Sequence, residues 1–289
     1  MKKTIVAGLL ASTFLVSPIQ AKTIGETTAL IPEAGLATAP IADGESGNTN
    51  FQYGNFKAIG TIGEVDAATG MPLTGYPDGQ AAWLADNNTI RFVYQSESYA
   101  TMGRAPNPET YPWLMANGVT FTGSHIHTID YDREQFADFM NNDAPASDMV
   151  KGSGKLFNRV FNAFGEEVTA PNHDPADLSA KWGHQTRPDG TFIPFSPKFT
   201  LGQADYFFQS FCGAWYEPAN KYGAGIGFAD DVWLTAEEWE IGRMFPAGKY
   251  DSRATMGLAS VVVDIANETA YTVPALGQTG YEKLMPINS

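Results

Sequence analysis

The sequence predicts an all-β domain, arranged as a β-propeller or a β-sandwich, with loops and short helices inserted between the strands. Its 289 residues include 29 Gly and 18 Pro, together with 18 Phe, 12 Tyr and 6 Trp. This composition favours short strands joined by tight turns over long helices. Hydrophobic residues make up 43% of the chain and charged residues 17%, so the chain can bury a large core and is not disordered.

Two hairpins are predicted by their turns. The first turn is Asp86-Asn87-Asn88 and the second is residues 266–269, and both are rich in residues that tolerate turn conformations. The apolar runs on either side of these turns define four strands, at 81–85, 89–94, 260–265 and 270–273. The spacing of such strands suits propeller blades or a sandwich.

Two further strands are expected at 123–130 and 232–235. Weaker helical patterns at 134–141 and 154–164 predict short helices inserted between strands. The polar stretch 171–198, rich in Pro and Gly, predicts a long surface loop.

The N-terminus predicts export. Residues 1–21 resemble a secretory signal peptide, because Lys2 and Lys3 precede an apolar run of about a dozen residues. A bilayer span needs ~20, so we expect no membrane attachment after the signal is cleaved. The mature protein would be periplasmic or extracellular. We expect residues 22–50 to form an extended N-terminal arm and residues 51–289 to form one domain.

Charge and cysteine content limit the possible partners. The chain has 18 Lys+Arg against 32 Asp+Glu, a formal charge of −14, so its net field repels nucleic acid and we expect no nucleic-acid partner. An anionic substrate would need a local cation. An exported chain with the single cysteine Cys212 forms no internal disulfide. Its thiol is either buried and inert or a metal ligand.

Carboxylates near predicted strand ends are the main candidate metal ligands. Glu97 follows the strand at 89–94, and Glu237 and Glu238 follow the strand at 232–235. Burying a carboxylate without a partner is costly, so each is either a metal ligand or a hydrogen-bonded strand end. For the adjacent pair, the alternative to a shared cation is one buried and one solvated carboxylate.

Two other groups could bind metal by residue type. His125 and His127 share one face of a strand, which suits zinc or iron if a third ligand lies nearby; a solvated or packing role is the alternative. Asp130, Asp132 and Glu134 could form a calcium loop, but they lack the usual glycine and better suit a polar hairpin turn.

A family resemblance emerges from five short blocks in a fixed order. The blocks are Gly75-Tyr76-Pro77-Asp78-Gly79, residues 82–84 with 90–99, Phe211-Cys212-Gly213, residues 233–238 and residues 276–282. Their order resembles the PhoX-type alkaline phosphatases and their secreted relatives. The resemblance extends over residues 51–282.

The resemblance implies a six-bladed, exported β-propeller whose axial site holds iron and calcium ions and hydrolyses phosphate esters. Glu97 matches a strand-end carboxylate of that family, and Cys212 matches a cysteine ligand to iron. Glu237 and Glu238 match a pair of adjacent glutamates, and Glu282 matches the last acidic residue. These five residues are therefore the implied metal ligands.

Three positions depart from the family pattern. Ser96 and Tyr281 stand where the family has His before the first and last carboxylates, and Gln278 stands where it has Arg. If those groups orient ligands or hold phosphate, we expect metal binding to survive while phosphatase activity is weakened or lost. Members of the family usually continue beyond the last block, so the resemblance also implies a shortened or incomplete propeller.

Three functions are compatible with these observations. The first is a secreted metal-dependent phosphoesterase that acts on a small phosphate ester. The second is a non-catalytic propeller, stabilised by calcium, that binds a ligand through aromatic loops such as residues 111–113 and 215–216. The third is a metal site at His125 and His127 with hydrolytic or redox chemistry.

Overall fold

The structure is a computed structural model that describes residues 22–27, 57–97, 113–118, 120–121, 124–142, 144–162, 165–169, 208, 211–238, 260–277 and 279–287. The predicted signal peptide, most of the N-terminal arm and the loop at 171–198 lie outside these ranges. The elements are β1 (Tyr76–Asp86), β2 (Thr89–Glu97), β3 (Trp113–Leu114), β4 (Thr120–Phe121), β5 (His125–Asp132), α1 (Arg133–Asn141), β6 (Val150–Lys155), β7 (Arg159–Phe161), β8 (Trp215–Glu217), β9 (Val232–Ala236), β10 (Ser260–Asp264) and β11 (Thr269–Thr272).

The first sheet has four antiparallel strands in the order β1-β2-β5-β6. The predicted hairpin between β1 and β2 is confirmed, and Asp86 Oδ1 closes its turn by accepting the Asn88 N–H at 2.7 Å. Both strands extend beyond the predicted bounds. The predicted strand at 123–130 is confirmed as β5, the third strand of this sheet.

The second sheet has the order β7-β11-β10-β9-β8, antiparallel except for the parallel pair β7 and β11. Its β10–β11 hairpin confirms the second predicted hairpin, and Glu268 occupies the left-handed region in the turn, with φ 48°. All five side chains of β9 are buried, as expected for a central apolar strand.

The helix predicted at 134–141 is confirmed as α1. Asp132 begins it by accepting the N–H groups of Glu134 and Gln135. This role overturns the hairpin-turn interpretation of the acidic stretch at 130–134. Asp130 is also already paired, because its two carboxylate oxygens accept hydrogen bonds from the Arg91 guanidinium, each at 2.7 Å.

The helix predicted at 154–164 is wrong. Residues 150–155 form β6 on the edge of the first sheet, and residues 159–161 form β7 beside β11. Gly154 disfavours a helix by about 1 kcal/mol relative to Ala. Pairing with β5 and β11 then outweighs the weak helical pattern.

The two sheets pack against each other around one hydrophobic cluster. Trp233 of β9 is fully buried there, and its Nε1–H donates to Gln95 Oε1 of β2 at 3.2 Å. A second cluster lies under α1, around Tyr131 and Phe139. The fold is thus mostly β-sheet with little helix, and the described residues form neither a closed barrel nor a propeller. No helix in the described ranges is long and apolar enough to cross a membrane.

Candidate metal centre

The two sheets present their strand ends at one common edge. An added Cβ on Gly79 of β1 would lie 2.4 Å from the Ala214 nitrogen, which immediately precedes β8. Four residues further along β1, Trp83 stacks on Tyr216 of β8, with ring centroids 4.2 Å apart and planes 2° from parallel. Strands β1 and β8 therefore run side by side in the same direction.

Strands β2 and β9 consequently end on the same side of the molecule. Strand β2 pairs antiparallel with β1, and β9 pairs antiparallel with β8. Because β1 and β8 run in the same direction, β2 and β9 also run in the same direction. Their ends and the starts of β1 and β8 bring acidic side chains and the thiol to one edge. We call this the acidic edge; its members are Asp78, Glu97, Cys212, Glu237, Glu238 and Glu282.

Three of the predicted ligands form a compact cluster at the acidic edge. One ligand atom each from Cys212, Glu238 and Glu282 lies within 4.8 Å of the other two. The Cys212 thiol donates to Glu282 Oε2, with the atoms 3.3 Å apart. Cys212 is buried, Glu238 is half-buried and Glu282 is exposed, so the cluster opens to solvent on the Glu282 side.

Backbone contacts hold the three chain segments together. The Cys212 N–H donates to Ala236 O at 3.0 Å, and the Tyr281 N–H donates to Glu237 O at 3.3 Å. Gly213 permits the closest approach, because an added Cβ there would lie 2.0 Å from the Glu282 carbonyl oxygen. Any side chain at Gly213 would therefore push the Glu282 segment away from Cys212.

The electrostatic surroundings keep the Cys212 thiol protonated when no cation is bound. Burial raises its pKa well above the ordinary value of 9.0, and the hydrogen bond with Glu282 and the charges of Asp78 and Glu238 raise it further. A cation held by these carboxylates would favour the thiolate instead, so any metal binding here would be coupled to proton release.

Asp78 is a member of the acidic edge that the sequence analysis did not single out. It occupies the third position of β1, and its charge acts on the Cys212 thiol. The available signal was its place in the Gly75–Gly79 block, which alone does not distinguish a ligand from a turn residue.

Glu97 and Glu237 lie at the acidic edge but outside the three-ligand cluster. Their exposed fractions are 9% and 1%, so both carboxylates are withdrawn from water. Glu237 forms a β-bridge with Phe211. Because successive side chains of an extended segment point to opposite faces, the next residue, Glu238, points towards Cys212. The structure thus separates the adjacent pair into one buried and one half-buried carboxylate.

His125 and His127 lie inside the first sheet. His127 Nε2 is 2.9 Å from Thr74 Oγ1, and its ring stacks on Tyr94 at a centroid distance of 4.6 Å. His125 stacks on Phe157 at 5.3 Å. Burial lowers the pKa of His127 to about 3, so the ring is neutral. Within the described part of the chain, neither histidine belongs to a group of three metal-ligating side chains.

An apolar pocket of about 420 Å³, with Phe92 and Ile129 in its wall, contains none of the three ligand residues Cys212, Glu238 and Glu282 in its lining. Its lining contains no carboxylate, thiol or imidazole. Lys57 reaches it, but the Lys57 ammonium donates to the carbonyls of Phe139 and Asn142. The pocket therefore offers no metal-ligating side chain.

Comparison with known protein families, with curated proteins and with solved structures finds no match.

Proposed function

We propose that this chain is an exported, metal-dependent phosphoesterase of the PhoX type, built on a β-propeller, that acts on a small phosphate ester. The observation that carries the proposal is the convergence of Cys212, Glu238 and Glu282, whose ligand atoms lie within 4.8 Å of one another. These side chains come from three separate segments of the chain, and all three belong to the blocks on which the family resemblance rests.

The residues present fit a mixed iron and calcium centre. A thiolate with two carboxylates suits iron, whereas calcium takes oxygen ligands and rarely sulfur. Cys212, Glu238 and Glu282 would therefore hold iron. Of the other acids of this edge, Glu97 and Glu237 would supply oxygen ligands to calcium. When bound, such ions supply the positive charge that stabilises a phosphoryl group in its transition state.

Two features support the propeller and the exported location. A propeller blade is a four-stranded antiparallel sheet, and the first sheet, β1-β2-β5-β6, has this composition. Residues 1–21 have the basic and apolar regions of a signal peptide, and a single cysteine without a disulfide partner suits an oxidising compartment if a metal occupies its thiol.

Elemental analysis of the full chain, purified from its exporting host without chelator, tests the proposal. We expect iron at near-stoichiometric amounts, and release of p-nitrophenol from p-nitrophenyl phosphate when calcium is added. Cys212→Ser should lose both iron and turnover, because a neutral hydroxyl is a far weaker ligand than a thiolate. Glu282→Gln should weaken both.

Glu134→Gln is the matched control, because Glu134 is an exposed acid in the first turn of α1. It should change neither metal content nor turnover. A Cys212→Ser protein with the parent's iron content and full activity would overturn the proposed site.

A non-catalytic propeller stabilised by calcium is the second candidate. It is favoured by the roles of Ser96 and Tyr281, which stand where the family has histidines. Ser96 Oγ donates to the His125 carbonyl, and the Tyr281 hydroxyl donates to Leu276 O, so both positions are committed to backbone contacts. This candidate predicts that calcium raises the melting temperature while no phosphate ester is turned over.

The aromatic pair Trp215 and Tyr216, expected in a ligand-binding loop of such a propeller, lies within β8 instead.

A further inference from the structure

Two lysines lie on one tryptophan beside the acidic edge. Lys221 Nζ is 4.7 Å from the Trp215 ring centroid, and Lys283 Nζ is 5.3 Å from it. Trp215 begins β8, three residues after Cys212. In a chain with a formal charge of −14, these are cations next to the place where an anionic substrate would have to approach.

The two lysines differ in how their charge is used. Lys221 donates to Glu217 Oε2 at 2.9 Å, and this carboxylate, which is fully buried, also accepts the Trp215 Nε1–H at 2.6 Å. The charge of Lys221 is therefore balanced. Lys283 is exposed, and it forms no hydrogen bond or ion pair with the described residues. Among the described residues its ammonium contacts the face of the Trp215 ring, an attraction that uses none of its N–H donors.

The backbone places Lys283 at the opening of the three-ligand cluster. Lys283 directly follows Glu282, which is the exposed member of that cluster. The close approach of this segment to Gly213 puts the Lys283 Cβ 3.3 Å from the position that a Gly213 Cβ would take. Lys283 thus lies against the Cys212–Gly213 segment, and the Trp215 ring of the neighbouring strand β8 contacts its ammonium.

We propose that Lys283 binds the non-bridging phosphoryl oxygens of the incoming phosphate ester and that Trp215 positions its ammonium for this contact. The inference rests on the proposed phosphoesterase function, and it names the residue that supplies the local cation required by an anionic substrate. Lys221 has a structural role by contrast, because it neutralises the buried Glu217 carboxylate.

Binding of inorganic phosphate to the full chain, purified without chelator and titrated by calorimetry at low ionic strength, tests the inference independently of turnover. Lys283→Gln should raise the Kd about 10-fold or more, the usual effect of losing a charge-assisted hydrogen bond. It should also flatten the salt dependence of binding. Lys283→Arg should stay within about threefold of the parent, since it keeps the charge and the donors.

Lys151→Gln is the control, because Lys151 lies on β6 and donates to Thr89 Oγ1 at 2.6 Å, at the start of β2 and far from its Glu97 end. It should bind phosphate as the parent does. An unchanged Kd in Lys283→Gln, or a parent that binds no phosphate, overturns the inference.

Steady-state kinetics separates this inference from the proposed function. A parent that binds phosphate through Lys283 but releases no p-nitrophenol overturns the phosphoesterase proposal and keeps the anion site. A parent that turns over substrate with the same KM as Lys283→Gln keeps the phosphoesterase and overturns the role of Lys283. If both proposals hold, KM rises in Lys283→Gln more than kcat falls, and metal content stays at the parent's value.

Discussion

Replacing Gly213 with alanine should open the three-ligand cluster without removing a ligand. The added Cβ would lie 2.0 Å from the Glu282 carbonyl oxygen, whereas real Cβ contacts are essentially never below 3.0 Å. The Glu282 segment must therefore retreat by about 1 Å or more, and backbone atoms retreat less easily than a flexible side chain. Overpacking of this kind costs about 1–3 kcal/mol. The φ of Gly213 is not in the left-handed region, so the contact itself requires glycine.

A displacement of this size at a ligand should weaken metal binding. Loss of groups that orient metal ligands typically costs about 10-fold to 100-fold in affinity, and we expect Gly213→Ala to fall in that range. Equilibrium dialysis of iron against the purified chain measures the affinity, and circular dichroism measures the melting temperature. We expect the melting temperature to fall by about 2–4 °C per kcal/mol lost.

Gly152→Ala is the matched control for this substitution. Gly152 lies in β6, and an added Cβ there would meet only Asp66 Oδ2, at an ordinary distance of 3.8 Å. It should keep the parent's metal affinity. If Gly213→Ala binds iron as tightly as Gly152→Ala, the close approach of Glu282 to Gly213 does not build the site.

Two predictions concern buried titratable groups away from the cluster. Burial lowers the folded-state pKa of His127 from 6.5 to about 3, so the unfolded chain binds more protons in this interval and stability should fall as the pH drops from 6.5 towards 3. His127→Gln should flatten this slope in urea unfolding, and parallel slopes would contradict it. Asp66→Asn should cost about 1–3 kcal/mol at pH 7, because Asp66 accepts three backbone N–H groups. The backbone N–H groups of Thr69 and Ser153 lower its pKa despite burial, so the difference from the parent should shrink well below pH 3.8.

Local turn chemistry made the two hairpins predictable. The Asp86 carboxylate closes the first turn within its own hairpin, and an Asn267 turn with Glu268 at positive φ closes the second. Such contacts join residues two or three positions apart, so a single sequence contains the whole signal. The N-terminus of α1 is equally local, because Asp132 caps residues two and three positions ahead.

The helix expected at 154–164 failed for the opposite reason. Its weak helical pattern competes with pairing to strands distant in sequence, and β7 pairs with β11 about a hundred residues later. Phe157 illustrates the outcome: it is fully buried and stacks on His125 instead of lining one face of a helix. Only the assembled sheet determines that environment.

Cys212, Glu238 and Glu282 were each predictable as candidate ligands, but their convergence was not. Cys212 and Glu282 are 70 positions apart, and no periodicity in the chain indicates that their side chains touch. The same limit applies to Gly213. Nothing in its sequence context indicates that glycine is required there, and the requirement arises only because Glu282 lies against it in the fold. Asp78 also became a member of the site only through the alignment of β1 with β8.

The donors that the fold supplies to a buried carboxylate elsewhere support the proposal of a cation at the acidic edge. Glu64 is 3% exposed and accepts the N–H groups of Gly25, Thr27 and Thr61, so the backbone satisfies its charge fully. By contrast, the described residues give Glu238 no such donor, and Glu282 accepts from the Cys212 thiol, a hydrogen bond that helps to retain the thiol proton. Two carboxylates within 4.8 Å of each other repel unless positive charge lies between them. A bound cation would remove that repulsion, and this is the physical reason for proposing these three side chains as a ligand set.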